Sequence, residues 1–189
     1  MADQLYLSYW LRGFTPLNML RQFEKTLLKF PFSTLAKVEP VLRVYAVSFA
    51  ETPVLEAAFP NPPDPAVMMA AAREFENDDC CFQVETFWDL WAWDQDWSLQ
   101  PARVFLACFA PGFEDSEEGE NIRIDFGLED RFLPSPHAGG VPMVRANVQS
   151  LLRLVHDIDD ALPVERRQLR SESGANFAER LQNALRETE

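Results

Sequence analysis

Two histidines, three cysteines and seven glycines in 189 residues leave little material for several common chemistries. With so few histidines no His-rich metal set is available, and no G-x-S-x-G elbow accompanies them to suggest a hydrolase. The glycines never fall as G-x-x-x-x-G-K-[ST] or G-x-G-x-x-G, so neither phosphate-cradling loop is present. Cys80, Cys81 and Cys108 are odd in number and lack C-x-x-C spacing, which predicts reduced, buried thiols without redox or metal chemistry. No stretch approaches the ~20 apolar residues of a membrane span. The opening Met-Ala-Asp-Gln also lacks the basic region of a secretion signal. The expectation is a cytoplasmic chain with no cofactor and no membrane partner.

Positive charge is the next shortage. Seventeen Lys and Arg face thirty Asp and Glu, a net charge of −13. The imbalance is local: residues 1–50 carry +3, residues 51–130 carry −16, and residues 131–189 sum to zero. A phosphate backbone is bound through Lys and Arg, so this acidic middle excludes nucleic acid as a partner. What the chain has in quantity is apolar mass: 47% hydrophobic residues, 12% aromatic, with fifteen phenylalanines. That supplies the core of one domain, expected over residues 1–163, with residues 164–189 as a basic linker and a C-terminal helix packed on the domain or on a partner.

Periodicity sets the elements. Leu5, Leu7, Tyr9 and Leu11 alternate with Tyr6, Ser8 and Trp10, which predicts a strand ending at Gly13. Thr15-Pro16 then opens a helix whose apolar face is Leu17, Leu20, Phe23, Leu27 and Phe30. Two strands are expected between Phe32 and Phe59, and Asp64-Pro65 starts a second helix with Val67, Met68, Ala71 and Phe75 inward. Strands follow over Cys80–Trp93, over Ala102–Ala110 (apolar on both faces, hence central) and over Asn121–Glu129. The last two form an antiparallel hairpin across the acidic loop Glu114–Glu120. A long helix from Val141 to Leu162 carries Val144, Val148, Leu151, Leu152, Val155, Ile158 and Leu162 on one stripe. A short terminal helix carries Phe177, Leu181, Ala184 and Leu185. This order predicts an α+β fold: a mainly antiparallel sheet whose N-terminal βαββαβ part is ferredoxin-like, extended by the hairpin, with helices packed on one face.

Most chemistry-bearing clusters read as structure. Aligning Gly119 with the glycine of a calcium-binding EF-hand loop puts Asn121 where an apolar residue belongs, so Glu114–Glu120 is a solvated loop. His156 and Asp160 share a helix face, but Arg145, Gln149 and Arg153 beside them disfavour a cation, and no metal site is assigned. Pro136-His-Ala-Gly-Gly140 is a loop entering the long helix.

The exception is W-D-L-W-A-W-D-Q-D-W, residues 88–97, which holds four of the five tryptophans. On a strand, Phe82, Val84, Thr86, Trp88 and Leu90 share a core face. Glu85, Asp89, Trp91 and Trp93 share the other. Aromatics with neighbouring carboxylates suit sugar rings or organic cations, and equally suit packing against a subunit with the acids paired to Arg12, Arg103 or Arg123. Glycosidase chemistry needs carboxyls roughly 5–9.5 Å apart. Four residues along a strand span about 13 Å, so Glu85 and Asp89 do not form such a pair, and no catalytic residue is assigned. Asp94-Gln-Asp96 with Trp97 reads as a turn into the next strand.

Trp88-Asp-Leu-Trp91, followed by Ile122-Arg-Ile-Asp-Phe-Gly127 and preceded by Glu74-Phe75 and Asp78-Asp79, resembles a group of uncharacterised bacterial proteins over residues 40–160. That resemblance implies a bacterial cytoplasmic protein and carries no activity. The functional expectation is a non-enzymatic binding or interaction protein that associates with itself or with another protein. The alternative is a small-molecule or carbohydrate site, conceivably hydrolytic, on Glu85, Asp89, Trp91 and Trp93.

Overall fold

The computed structural model describes residues 3–187 apart from 117, 135, 136, 138 and 175. It is an α+β protein whose seven strands form one antiparallel sheet. The centre is a long hairpin, β4 (Cys80–Asp94) and β5 (Asp96–Phe109), paired from Cys81↔Phe109 to Asp94↔Asp96. Gln95 makes the tight turn with a φ of 64°, a left-handed conformation costly for a residue with a Cβ. On one side β4 pairs with β2 (Val41–Ala46), which pairs with β3 (Leu55–Ala58). On the other side β5 pairs with β6 (Ile122–Leu128), then β1 (Gln4–Leu11) and β7 (Val164–Ser171).

The order β3-β2-β4-β5-β6-β1-β7 departs from the ferredoxin-like wiring expected of the first six elements. In that plan the first strand sits among the strands of its own βαββαβ unit. Here β1 lies between β6 and β7, with three strands between it and β2. Alternation had identified the strands, but it carries no information on which strand lies next to which. The segment read as a basic linker is β7 itself. Glu165, Arg166 and Arg167 tolerate solvent because β7 is an edge strand. Arg166 also lies 3.7 Å over the Trp10 ring, and Arg170 pairs with Glu118 at 2.9 Å.

One sheet face holds the core. Leu7, Tyr9, Val44, Phe82, Trp88, Leu106, Ile124 and Phe126 are buried there in a single cluster, and helix residues complete it. They come from α1 (Met19–Lys29), α2 (Pro65–Ala72), α3 (Gly140–Ala161) and α4 (Phe177–Glu187). Three helices differ in detail from their periodic reading, and in α2 it is Val67, expected inward, that is exposed. In α1, Asn18 takes the N-cap position and its Oδ1 accepts from Thr15 N–H at 3.0 Å, which leaves Leu17 exposed in the preceding turn. In α3, Asn147 and Leu154 are buried while Leu152 is exposed. Asp64 caps α2 as read, accepting from Ala66 N–H at 2.9 Å with Pro65 in the first turn. Phe177 and Leu181 join the core. The side chains expected at Ala184 and Leu185 lie outside those described, as do Pro136 and Ala138 of the loop before α3.

The opposite face is open over much of its area. A small second cluster of Cys81, Ala107, Phe109 and Phe113, with Tyr45 and Phe49 against it, covers one part. This gives β5 apolar cover on both faces, as its unbroken apolar run requires. No helix among the described residues is long and apolar enough to cross a membrane.

Candidate functional site

β4 outlasts its neighbour. β2 pairs with it only as far as Val41↔Glu85, and β6 pairs with β5 only between Phe105 and Cys108. The hairpin beyond Phe87 and Arg103 therefore projects as a two-stranded ribbon, and its free β4 edge needs other partners for its backbone groups. Two are supplied. Ser33 N–H donates to Phe87 C=O at 2.8 Å. Further out, the buried Asn147 carboxamide takes both backbone groups of Trp91: its Oδ1 accepts from Trp91 N–H at 2.9 Å and its Nδ2 donates to Trp91 C=O at 2.9 Å. The same Nδ2 donates to Arg131 C=O at 2.8 Å, which ties the ribbon to α3 and to the 3-10 turn Glu129–Phe132.

The structure separates the four residues grouped by strand parity. Glu85 is spent on two ion pairs, with Arg43 Nη1 at 2.7 Å and Arg103 Nε at 3.2 Å. Arg43 also reaches Glu56 at 2.7 Å, so a short ladder of alternating charge crosses β3, β2, β4 and β5. Asp89 anchors the loop after α1. It accepts from the Ser33 hydroxyl, from Thr34 N–H at 2.8 Å and from the Thr34 hydroxyl at 3.1 Å. Ser33 Oγ in turn accepts from Leu35 and Ala36 N–H, at 3.1 and 2.8 Å. These two carboxylates hold the sheet and a loop together.

Trp91 and Trp93 instead border a cleft of about 550 Å³ at the ribbon's end. Trp97 forms a third aromatic wall, edge-on to Trp93 at 5.7 Å, while the His137 ring stacks flat on Trp93 at 4.6 Å and 7°. Leu128, Leu133, Pro134 and Val144 add apolar lining. The charged lining is Glu129, Asp130, Arg131 and Arg180. Glu129 is buried, with Arg180 Nη2 at 2.5 Å and the Ser171 hydroxyl donating to Oε2. Arg180 also reaches Asp3 at 3.1 Å. Arg131 has no such compensation: its Nη1 is buried and meets no hydrogen-bond acceptor among the described residues.

The chain matches no family model, no curated protein and no solved structure. The cleft's chemistry is therefore read from its own lining. Strand parity had brought Trp91 and Trp93 forward, but not Trp97, which was read as part of a turn, nor Asn147, Arg131, His137 and Arg180. Nothing local marks Arg131, His137 or Arg180. Asn147 interrupts an apolar helix stripe, and that was the one available signal: a polar residue on a core face needs a partner.

The other clusters are structural. His156 Nε2 and Asp160 Oδ2 stand 3.4 Å apart on the exposed face of α3. In the acidic loop Glu120 is buried, accepting from Glu118 N–H at 3.0 Å and from Arg123 Nη1 at 3.2 Å. Burial pushes the Cys81 and Cys108 thiols well above their ordinary range and Cys80 to about 11. Asp125, on β6, is also raised, because burial outweighs its hydrogen bond from Gly127 N–H.

Proposed function

We propose that this protein is a binding protein whose ligand seat is the cleft between the β4–β5 ribbon and the Glu129–Phe132 turn. The observation that carries this reading is the convergence of Trp91, Trp93 and Trp97 on one concavity of about 550 Å³. That volume lies in the range of roughly 300–1,000 Å³ that small-molecule sites occupy. Three indole walls provide a large apolar contact at little rotamer cost. Binding is favoured over turnover because the cleft's buried carboxylate, Glu129, is committed to Arg180 and Ser171. The hydrolytic reading on Glu85 and Asp89 loses support, since both carboxylates are engaged elsewhere. Three buried thiols support a cytoplasmic address.

The test is a thermal-shift and tryptophan-fluorescence screen of small organic ligands against the native protein and Trp93→Ala. The reading expects hits that raise the melting temperature of the native protein and that vanish in the variant. Hits that persist equally in Trp93→Ala place binding elsewhere and overturn it.

Self-association is a second reading, favoured by the exposed Trp93, Leu99 and Leu128 at this same end of the sheet. Light scattering over a dilution series, repeated with Leu99→Asp, tests it. A native protein that is monomeric at every concentration removes it.

A further inference from the structure

We infer that the cleft selects a small planar organic anion, an aromatic carboxylate, with Arg131 as the residue that reads its charge. This inference rests on the cleft being a ligand seat. Arg131 sits in the 3-10 turn Glu129–Phe132, and its carbonyl is clamped by Asn147 Nδ2 at 2.8 Å. The backbone that bears the guanidinium is therefore fixed. Among the described residues the guanidinium makes no ion pair within 4 Å, and Nη1 is shut off from solvent without an acceptor. A buried N–H without an acceptor carries an uncompensated desolvation cost, although Arg131 as a whole is half-exposed.

Arg180, the other guanidinium on the cleft, is neutralised on two sides, by Glu129 and Asp3. In a chain of net charge −13, with thirty carboxylates to pair with seventeen cations, an arginine without an acid is not for want of acids. Arg131 lines the cleft and is half-exposed, so a carboxylate entering there would meet its guanidinium, and guanidinium and carboxylate match in plane and spacing. The walls define the remainder of the ligand. Trp93 presents a flat stack with His137 and an edge contact with Trp97, so a planar ring finds faces and edges already ordered. The preference for an anion contradicts the cation preference that a run of tryptophans and aspartates suggests. It does so because Glu85 and Asp89 are withdrawn from the cleft and Glu129 is neutralised by Arg180, which leaves the exposed Asp130 as the one unneutralised carboxylate among the described lining residues.

The experiment is isothermal titration of the full chain with three ligands of one ring size: 1-naphthoate, 1-naphthamide and 1-naphthylmethylammonium. The same titrations are run on Arg131→Gln and Trp93→Leu, each first shown to melt cooperatively. Native protein should bind naphthoate at least tenfold more tightly than the neutral amide, with the ammonium weakest. Arg131→Gln should abolish that preference while leaving the amide affinity within twofold, and Trp93→Leu should weaken all three. If the amide or the ammonium binds native protein as tightly as naphthoate, or Arg131→Gln leaves naphthoate binding unchanged, the charge-reading role is overturned and the cleft survives as an uncharged site. If none of the three binds native protein, both the site and its selectivity fall.

Discussion

Replacing Asn147 with alanine should destabilise the protein by about 3 kcal/mol. The carboxamide is 2% exposed and makes three hydrogen bonds, to Trp91 N–H, Trp91 C=O and Arg131 C=O, all between 2.8 and 2.9 Å. Alanine keeps the helix and deletes every one of them. Each stranded backbone group costs about 1–3 kcal/mol where water cannot follow. Trp91 and Arg131 are only half-buried, so the low end of that range applies to each of the three. Against a total stability of about 5–15 kcal/mol the loss is large. With a urea slope of about 1–3 kcal/mol/M, it appears as a midpoint shift of about 1–3 M. Gln149→Ala, exposed on the same helix, is the control and should change the midpoint little. Asn147→Asp adds a second test. It keeps the acceptor for Trp91 N–H but aims a carboxylate at two carbonyl oxygens, so at neutral pH it should be at least as damaging as alanine. A shift below about 0.25 M for Asn147→Ala would refute the reasoning, because it would mean that the ribbon's edge needs no partner at Trp91.

The remaining expectations concern the sheet. Asp125 has its native pKa raised by burial, so the native state holds its proton more tightly than the unfolded chain. Its contribution is full below the unfolded pKa and is lost as pH rises through the higher native value. Asp125→Asn, whose side-chain oxygen can still accept from Gly127 N–H, should therefore gain stability at pH 7 and less at pH 4, measured by urea unfolding at both; equal gains would contradict the sign. The three thiols, buried and raised, should resist a chromogenic disulfide reagent at pH 8 until the protein unfolds. A thiol titrating within minutes in native buffer would contradict that. A Cβ at Gly112 would sit 2.7 Å from Asp78 C=O, itself hydrogen-bonded to Gly112 N–H at 2.8 Å. Gly112→Ala should thus cost about 1–3 kcal/mol of thermal stability by overpacking, and an unchanged melting temperature would show that the loop yields freely.

Several elements were legible because their cause is local. The unbroken apolar run over Ala102–Ala110 and the alternation over Asn121–Glu129 depend only on which faces are covered, and β5 and β6 fall on them, β5 starting earlier at Asp96. Asp64-Pro65 announces α2 through a cap that forms within three residues. β7 was obscured because its charges belong to an edge, and edge status is decided by where β1 lies. The strand order was hidden for the same reason, since Leu7↔Ile124 joins residues more than a hundred positions apart. The cleft was half legible. Parity placed Trp91 and Trp93 on one side, but whether Glu85 and Asp89 would join them depended on Arg43, Arg103 and Ser33, three residues from three other segments.

The two lateral edges of the sheet bear on how copies of the chain meet. β3 ends one side and is four residues long, while β7 ends the other and carries Glu165, Arg166 and Arg167 in solvent. A short strand offers too few backbone groups for another chain to add to, and a charged one repels its own copy. Growth by strand addition, the route to open-ended filaments, is thus resisted at both ends. Apolar surface is also uncovered at the ribbon tip, where Trp93 and Leu99 are exposed. A contact that pairs this patch with the same patch of a second copy closes at two. A dimer closed in this way would leave both sheet edges free and add no further copies.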